Sequence, residues 1–199
     1  MKKIAKTIYP INPLAGNRWS PRAFLDKPVE QEKLVGLFEA ARWSASGGNE
    51  QPWRFIVGVN HDETWQRIFA TLNEGNQEWN NHVPVLILAI GYTISSWDGN
   101  VSGYFQYDTG QAVAHLSIEG MNQGLHVHQM GGFSVEKARE LFEIPENCQP
   151  LTVIAVGYLG DPDSLSEKLK QRELQDRSRK ELGEIVFSGK FGVSAQLLI

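Results

Sequence analysis

The sequence predicts an α+β domain in which a small central sheet lies between helical layers. Two runs carry the prediction: "PVLILAIGY" (Pro84–Tyr92) and "LTVIAVGYL" (Leu151–Leu159) are short, apolar and rich in β-branched residues, as in strands buried on both faces. The segments around them are longer and amphipathic, bounded by Pro, Gly, Ser and Asn, so helices outnumber strands and flank them.

In the first helix, Leu34, Leu37, Phe38 and Ala41 recur at i, i+3, i+4 and i+7, with Pro28 close to where a helix starts. The Ser-, Gly- and Asn-rich stretch Ala45–Pro52 breaks that pattern, and Arg54–Val59 reads as a strand. A polar, Trp-containing helix is predicted over Asp62–Asn80, followed by the central strand Pro84–Tyr92. The next helix is predicted over Asp108–Gln123 with Asp108 as N-cap. Ala112, Leu116 and Met121 lie near one face, and Val113 and Ile118 widen it, which marks a well-buried helix ended by Gly124. A short helix Val135–Phe142 precedes the strand Leu151–Leu159. Ser164 and Glu167 form a capping-box pattern opening a charged helix that runs to about Leu182 and stops at Gly183. The tail, "GEIVFSGKFGVSAQLLI", is too apolar for a solvated end and is expected to pack on something, a second subunit being one candidate.

The length of 199 residues, with 41% hydrophobic and 21% charged side chains, suits one domain spanning residues 1–199. A net charge of -4 argues against nucleic acid or an anionic membrane as partner, so any cationic site must be local. Cys148 is the only cysteine, which leaves no internal disulfide or Cys-based zinc motif and favours a reducing, cytoplasmic setting. The opening "MKKIAKTIYP" lacks the apolar core of a secretory signal, and no apolar run is long enough to span a membrane. His126 and His128 alternate along an extended segment without an acidic cluster beside them, so no metal site is expected.

Arg18, Ser20 and Arg22 place two guanidiniums and a hydroxyl where they could surround a phosphate, since Arg offers paired N–H donors; a solvated basic turn has the same composition. "SASGGNEQPW" (Ser44–Trp53) combines small residues that let a planar ligand approach the backbone, hydrogen-bonding Ser46 and Asn49, and a stiff wall at Pro52-Trp53. A loop ending a helix over a buried Trp accounts for the wall but not for the density of small polar residues. "MGGF" (Met130–Phe133) again offers bare amides that can donate to an electron-rich ring atom. Arg177 and Arg179 again bracket a serine, Ser178, as the first arginines do, although a charged helix end would have the same composition.

In order along the chain, Arg-x-Ser-x-Arg, Ser-x-x-Asn-x-Gln-Pro-Trp, Gly-Asn-x-x-Trp, Asp-x-Gly-x-Ala, His-x-Met-Gly-Gly-Phe, Arg-x-Arg and Gly-Lys-Phe-Gly resemble the FMN-dependent nitroreductase family over about Arg18 to Gly192. The resemblance implies a mostly antiparallel sheet flanked by helices, in an intertwined homodimer whose C-terminal arm (about 183–199) packs on the partner. It implies FMN at the subunit interface. Arg18 and Ser20 would meet phosphate and ribityl, with Trp19 beside them. Arg22 would face the flavin N1/O2 edge, where a cation raises the potential. Arg179 and Arg177 would complete the phosphate site. Ala45, Ser46, Gly47 and Asn49 would lie along the isoalloxazine from the partner subunit. Asn76 would reach the pyrimidine side, and Met130, Gly131 and Gly132 the central edge near N5.

Family members often carry an acidic residue where Gly131 stands, or Lys where Trp79 stands, so this chain follows a Met-Gly-Gly variant. Trp97, Tyr104 and Phe105, ahead of the central helix, suit a flat aromatic substrate or, equally, a surface lid or dimer contact. The implied activity is ping-pong reduction of nitroaromatics, quinones or similar flat electrophiles by NAD(P)H, with no catalytic acid or base assigned. The alternatives are an FMN-binding redox sensor or flavin-handling protein with little turnover, and a non-flavin domain whose arginines hold another phosphorylated ligand.

Overall fold

The computed structural model describes residues 3–198. Met1 and Lys2 of the opening segment and Ile199 of the apolar tail lie outside the described residues. Along the chain run α1 (Pro13–Asn17), α2 (Gln31–Arg42), β1 (Trp53–Val59), α3 (Glu63–Thr71), α4 (Glu74–Asn80), β2 (Val85–Tyr92), α5 (Phe105–Asn122), β3 (His126–Met130), α6 (Val135–Phe142), β4 (Cys148–Gly157) and α7 (Glu167–Leu174). The strands form one antiparallel sheet in the order β1-β2-β4-β3, so the two apolar runs are its inner strands, as the sequence predicts.

Alternation along β2 builds both halves of the core. Leu86, Leu88 and Ile90 point into a cluster with Trp65, Ile68, Leu72 and Trp79, whereas Val85, Ile87 and Ala89 meet Leu37, Ala41, Ala112 and Leu116. Each fully buried Leu or Ile here contributes on the order of 2 kcal/mol from lost water contact. α2 and α5 thus cover one face of the sheet, and α3, α4 and α6 the other. Pro150, which cannot donate to the ladder, sits where the β2–β4 register shifts between Ala89 and Ile90.

Four element boundaries differ from expectation, each for a local reason. The helix predicted over Asp62–Asn80 is two helices. Leu72 turns extended (ψ 146), and the Asn73 side chain caps α4 by accepting from Asn76 N at 3.0 Å. Asn73 N also donates to Gly132 O at 3.0 Å, so the break docks the chain on the Met130–Gly132 turn. Asp108 is not the N-cap of the central helix, which begins three residues earlier at Phe105; Asp108 is buried in the first turn. Ser164 does not cap the charged helix. It lies in a 3₁₀ turn over Pro162–Ser164 and donates to Asp161 O at 2.7 Å, while α7 starts at Glu167. That helix ends at Leu174, not near Leu182. Gln175 is extended (ψ 141), and its carbonyl accepts from Lys3 Nζ at 2.5 Å.

The tail forms a small hairpin bridged at Phe187 and Ser194, with Ala195 buried. Ile185, Phe191, Val193 and Leu197 stay exposed, Phe191 at 95%. No helix among the described residues is long and apolar enough to cross a membrane.

Candidate functional site

Two groups of residues stand out. The first is cationic. α1 ends at Arg18, whose extended backbone (ψ 125) turns the chain and lets Nη1 donate to Ser20 Oγ at 3.3 Å. Arg177 reaches the same place from the extended segment after α7, anchored by Nη1 on the carbonyls of Lys3 and Gly16, both at 2.8 Å. Arg179 follows it, exposed. Burial, and then the charges of Arg177 and Arg179, hold the Arg18 pKa below the usual guanidinium value. Among the described residues no carboxylate lies in salt-bridge range of Arg18, Arg177 or Arg179. The three line a cleft of about 720 Å³ with Ile8, Tyr9 and Leu182.

Arg22 stands beside this cluster. Its backbone N–H donates to both oxygens of Glu173 at 2.9 and 3.1 Å, and its Nη1 lies 3.8 Å from Glu173 Oε2. His128 is wedged beneath, its ring 4.6 Å from that of Trp79 and its Nδ1 2.6 Å from Pro21 O. A carbonyl only accepts, so Nδ1 carries a proton. Burial first, then the charges of Arg22 and Arg18, bring the His128 pKa down to about 4.

The turn after β3 completes this side. Asn76 Nδ2 donates to Gly132 O at 2.9 Å, and a Cβ on Gly132 would stand 2.4 Å from Asn73 Nδ2 and 2.8 Å from Asn76 Nδ2. Only glycine lets the two asparagines close on the turn. Gly131 is exposed with open space around it. Two expected site residues face inward: the Trp19 indole is buried edge-on against His126 at 6.1 Å, and Met130 Sδ accepts from Asn80 Nδ2 at 3.2 Å. Their side chains are therefore packed into the fold and not directed at a ligand. His126 and His128 serve these packing roles, and among the described residues no three His, Cys, Asp or Glu side chains gather in a metal-binding group.

The second group is the glycine loop. Gly47 N donates to Asp108 Oδ2 at 3.0 Å, and Ser46 Oγ accepts from Gln51 N at 3.0 Å. Gly48 (φ +56) lies under Trp97, whose Nε1 would be 2.7 Å from an added Cβ. The Glu50 carboxylate accepts from Ser95 Oγ at 2.9 Å and Ser96 N at 3.0 Å, fastening the segment before α5 onto the loop. Ala45 and Asn49 are exposed. So are Trp97 and Tyr104, whereas Phe105 is buried and leaves the aromatic set expected to face a substrate. Among the described residues no hydrogen bond or ion pair joins the glycine loop to the cationic group.

Residues 15–78, which carry Arg18 to Arg22, the glycine loop and Asn76, match the Nitroreductase family. A crystal structure of an oxidoreductase containing FMN superposes with a TM-score of 0.89 at 34% identity, over 94% of this chain and 96% of that one. The chain belongs to the nitroreductase family. A nitroreductase family protein from Clostridium difficile 630 has the same fold, with a TM-score of 0.70 at 27% identity over 89% of this chain and 97% of its own. The major NAD(P)H-flavin oxidoreductase of Aliivibrio fischeri is 37% identical over 89 residues, 41% of this chain and 40% of that protein. The general role of this nitroreductase-family chain is that of an oxidoreductase.

Three residues around the candidate site have structural partners that the sequence reading does not assign. Glu173 sits in a helix that reads as a solvated charged face. Asp108 resembles an N-cap, although its partner is Gly47, far away along the chain. Asn73 falls inside an unbroken helical pattern. The signal that could have found it is the pairing of two asparagines, Asn73 and Asn76, three residues apart.

Proposed function

We propose that the chain binds FMN between two copies of itself and uses NAD(P)H to reduce flat electrophiles such as nitroaromatics and quinones. The observation that carries this reading is the convergence of Arg18, Arg177 and Arg179 in one cleft, where among the described residues no carboxylate pairs with them although Glu181 also lines it, on a chain of net charge -4. That donor set fits a phosphate: guanidiniums present paired N–H groups, and Ser20 adds a hydroxyl. The turn held by Asn73 and Asn76 fits a planar ring edge, since Gly131 leaves its backbone open on the exposed side.

Bound FMN supplies the redox chemistry, taking two electrons from NAD(P)H and passing them to the acceptor in alternate half-reactions. The chain's residues bind, orient and set charge. Arg18, Ser20, Arg177 and Arg179 hold the phosphate and ribityl. Arg22 faces the N1/O2 edge and favours the negative charge that reduction brings there. Asn76 meets the pyrimidine side. The backbone of Met130, Gly131 and Gly132 faces the central edge, and the backbone of Trp19 runs beside the ribityl.

Ala45, Ser46, Gly47 and Asn49 act on the site of the opposite copy, with Trp97 and Tyr104 as flat walls for the acceptor. Among the described residues no hydrogen bond or ion pair ties them to the cationic group of the same chain, which fits the two-copy reading. So do the exposed apolar side chains of the tail, where residues 183–199 act as an arm on the partner while residues 1–199 remain one domain. A cytoplasmic location suits the lone buried thiol of Cys148.

The test is the absorbance spectrum of the purified protein. A yellow protein bleached by NADH or NADPH and restored by a quinone or nitro compound is expected. A protein that FMN cannot colour overturns the reading. One that binds FMN but does not bleach has the redox-sensor role instead.

A further inference from the structure

We infer that Glu173 is a positioning residue that both aims Arg22 and offsets part of its charge, and so sets how strongly this chain favours reduced flavin. The inference rests on the placement of Arg22 at the flavin ring proposed above.

Glu173 lies on α7 with its side chain fully buried, at 0% exposure. Removing a carboxylate from water costs several kcal/mol unless its lone pairs find donors. Here they do. Oε1 accepts from Arg22 N at 2.9 Å and Ala23 N at 3.2 Å, and Oε2 accepts from Arg22 N at 3.1 Å. The Arg22 guanidinium lies 3.8 Å from Oε2 and is itself 28% exposed. One carboxylate therefore grips Arg22 at its backbone and faces its charged tip, which stays partly open to solvent or ligand.

The charges around this pair are cationic. Arg22 and Arg18 both act on His128, and Arg22 acts with Arg177 on Lys3. Glu173 and Asp176 are the acidic groups that act on Lys3 from the other side. Asp176 is exposed and pairs with Lys6 at 3.0 Å, which leaves Glu173 as the buried counter-charge of Arg22. Charges this close in a partly desolvated place interact strongly. With Glu173 neutral, the full charge of Arg22 would act on the ring edge. Glu173 would then be the reason that this chain's flavin is not more oxidising than it is.

A redox titration of the FMN-bound protein tests this. The variant Glu173→Gln, which keeps the side chain's shape, should raise the two-electron midpoint potential by about 30 mV, a roughly tenfold shift of the reduction equilibrium. Arg22→Ala should lower it, and adding Glu173→Gln to Arg22→Ala should raise it by less than Glu173→Gln does in the parent, because only the direct field of the carboxylate is then removed. Should Glu173→Gln fail to fold, Glu173→Asp carries the test: it keeps the buried charge but draws it back by one methylene, and a smaller upward shift is expected.

An unchanged or lowered potential in these Glu173 variants, while Arg22→Ala lowers it, overturns the inference and leaves the flavin site intact. The same follows if the Glu173 effect is undiminished without Arg22, because Glu173 would then not act through that guanidinium. If Arg22→Ala leaves the potential unmoved, the placement of Arg22 fails, and the role of Glu173 fails with it.

Discussion

His128 couples the fold to pH through one proton. Its ring is buried, and its Nδ1–H is spent on the Pro21 carbonyl. The unfolded chain takes up a proton near 6.5, whereas the folded chain resists until about 4. Above that window the ring is neutral in both states and contributes a constant amount. As pH falls through the window the unfolded chain binds the proton first, so stability drops by up to on the order of 3 kcal/mol. Urea denaturation at a series of pH values checks this, with His128→Asn as reference. Asn can keep an N–H near Pro21 but does not titrate, so the variant should lose less stability than the parent between pH 6.5 and pH 4. His126, also lowered by burial, remains in both proteins and cancels in the comparison.

At the level of elements, the break between α3 and α4 is what delivers Asn76 to the turn after β3. Asn73→Ala removes the cap and one wall of the Gly132 cradle. It should cost about 1 kcal/mol, read as a lower urea midpoint, and FMN affinity should fall with it, read by quenching of flavin fluorescence. This break was illegible in the sequence because helical periodicity continues through it; what ends α3 is a hydrogen bond to Gly132. The same physics separates the legible from the hidden elsewhere. The inner strands β2 and β4 could be read because burial on both faces leaves a local mark, an apolar run. Arg18, Ser20 and Arg22 could be singled out because their spacing is local. The partners of Asp108 and Glu173 could not be read, since each gets its role from backbone N–H groups contributed by distant segments. The end of α7 was missed for a related reason: Lys3 and Gly16 draw Gln175 and Arg177 out of the helix, and a charge pattern carries no trace of that.

For the whole molecule, the apolar tail is the feature a lone subunit leaves unfinished. Phe191 at 95% exposure and Leu197 at 75% would be a solubility liability on a monomer. Sedimentation of the full chain should give a dimer, and a chain ending at Leu182 should sediment lighter and retain less FMN. A dimer unchanged by this truncation would remove the arm's assigned role. The lack, among the described residues, of any bond between the glycine loop and the cationic group has a consequence for inheritance of damage. If each pocket borrows its roof from the neighbour, a hybrid of one chain crippled at Arg18 and one crippled at Gly48 confines both lesions to a single pocket. Its twin is assembled from sound parts alone. Two inactive polypeptides, mixed during refolding, would then regain half of a working pair's capacity per hybrid, which neither can reach with copies of itself.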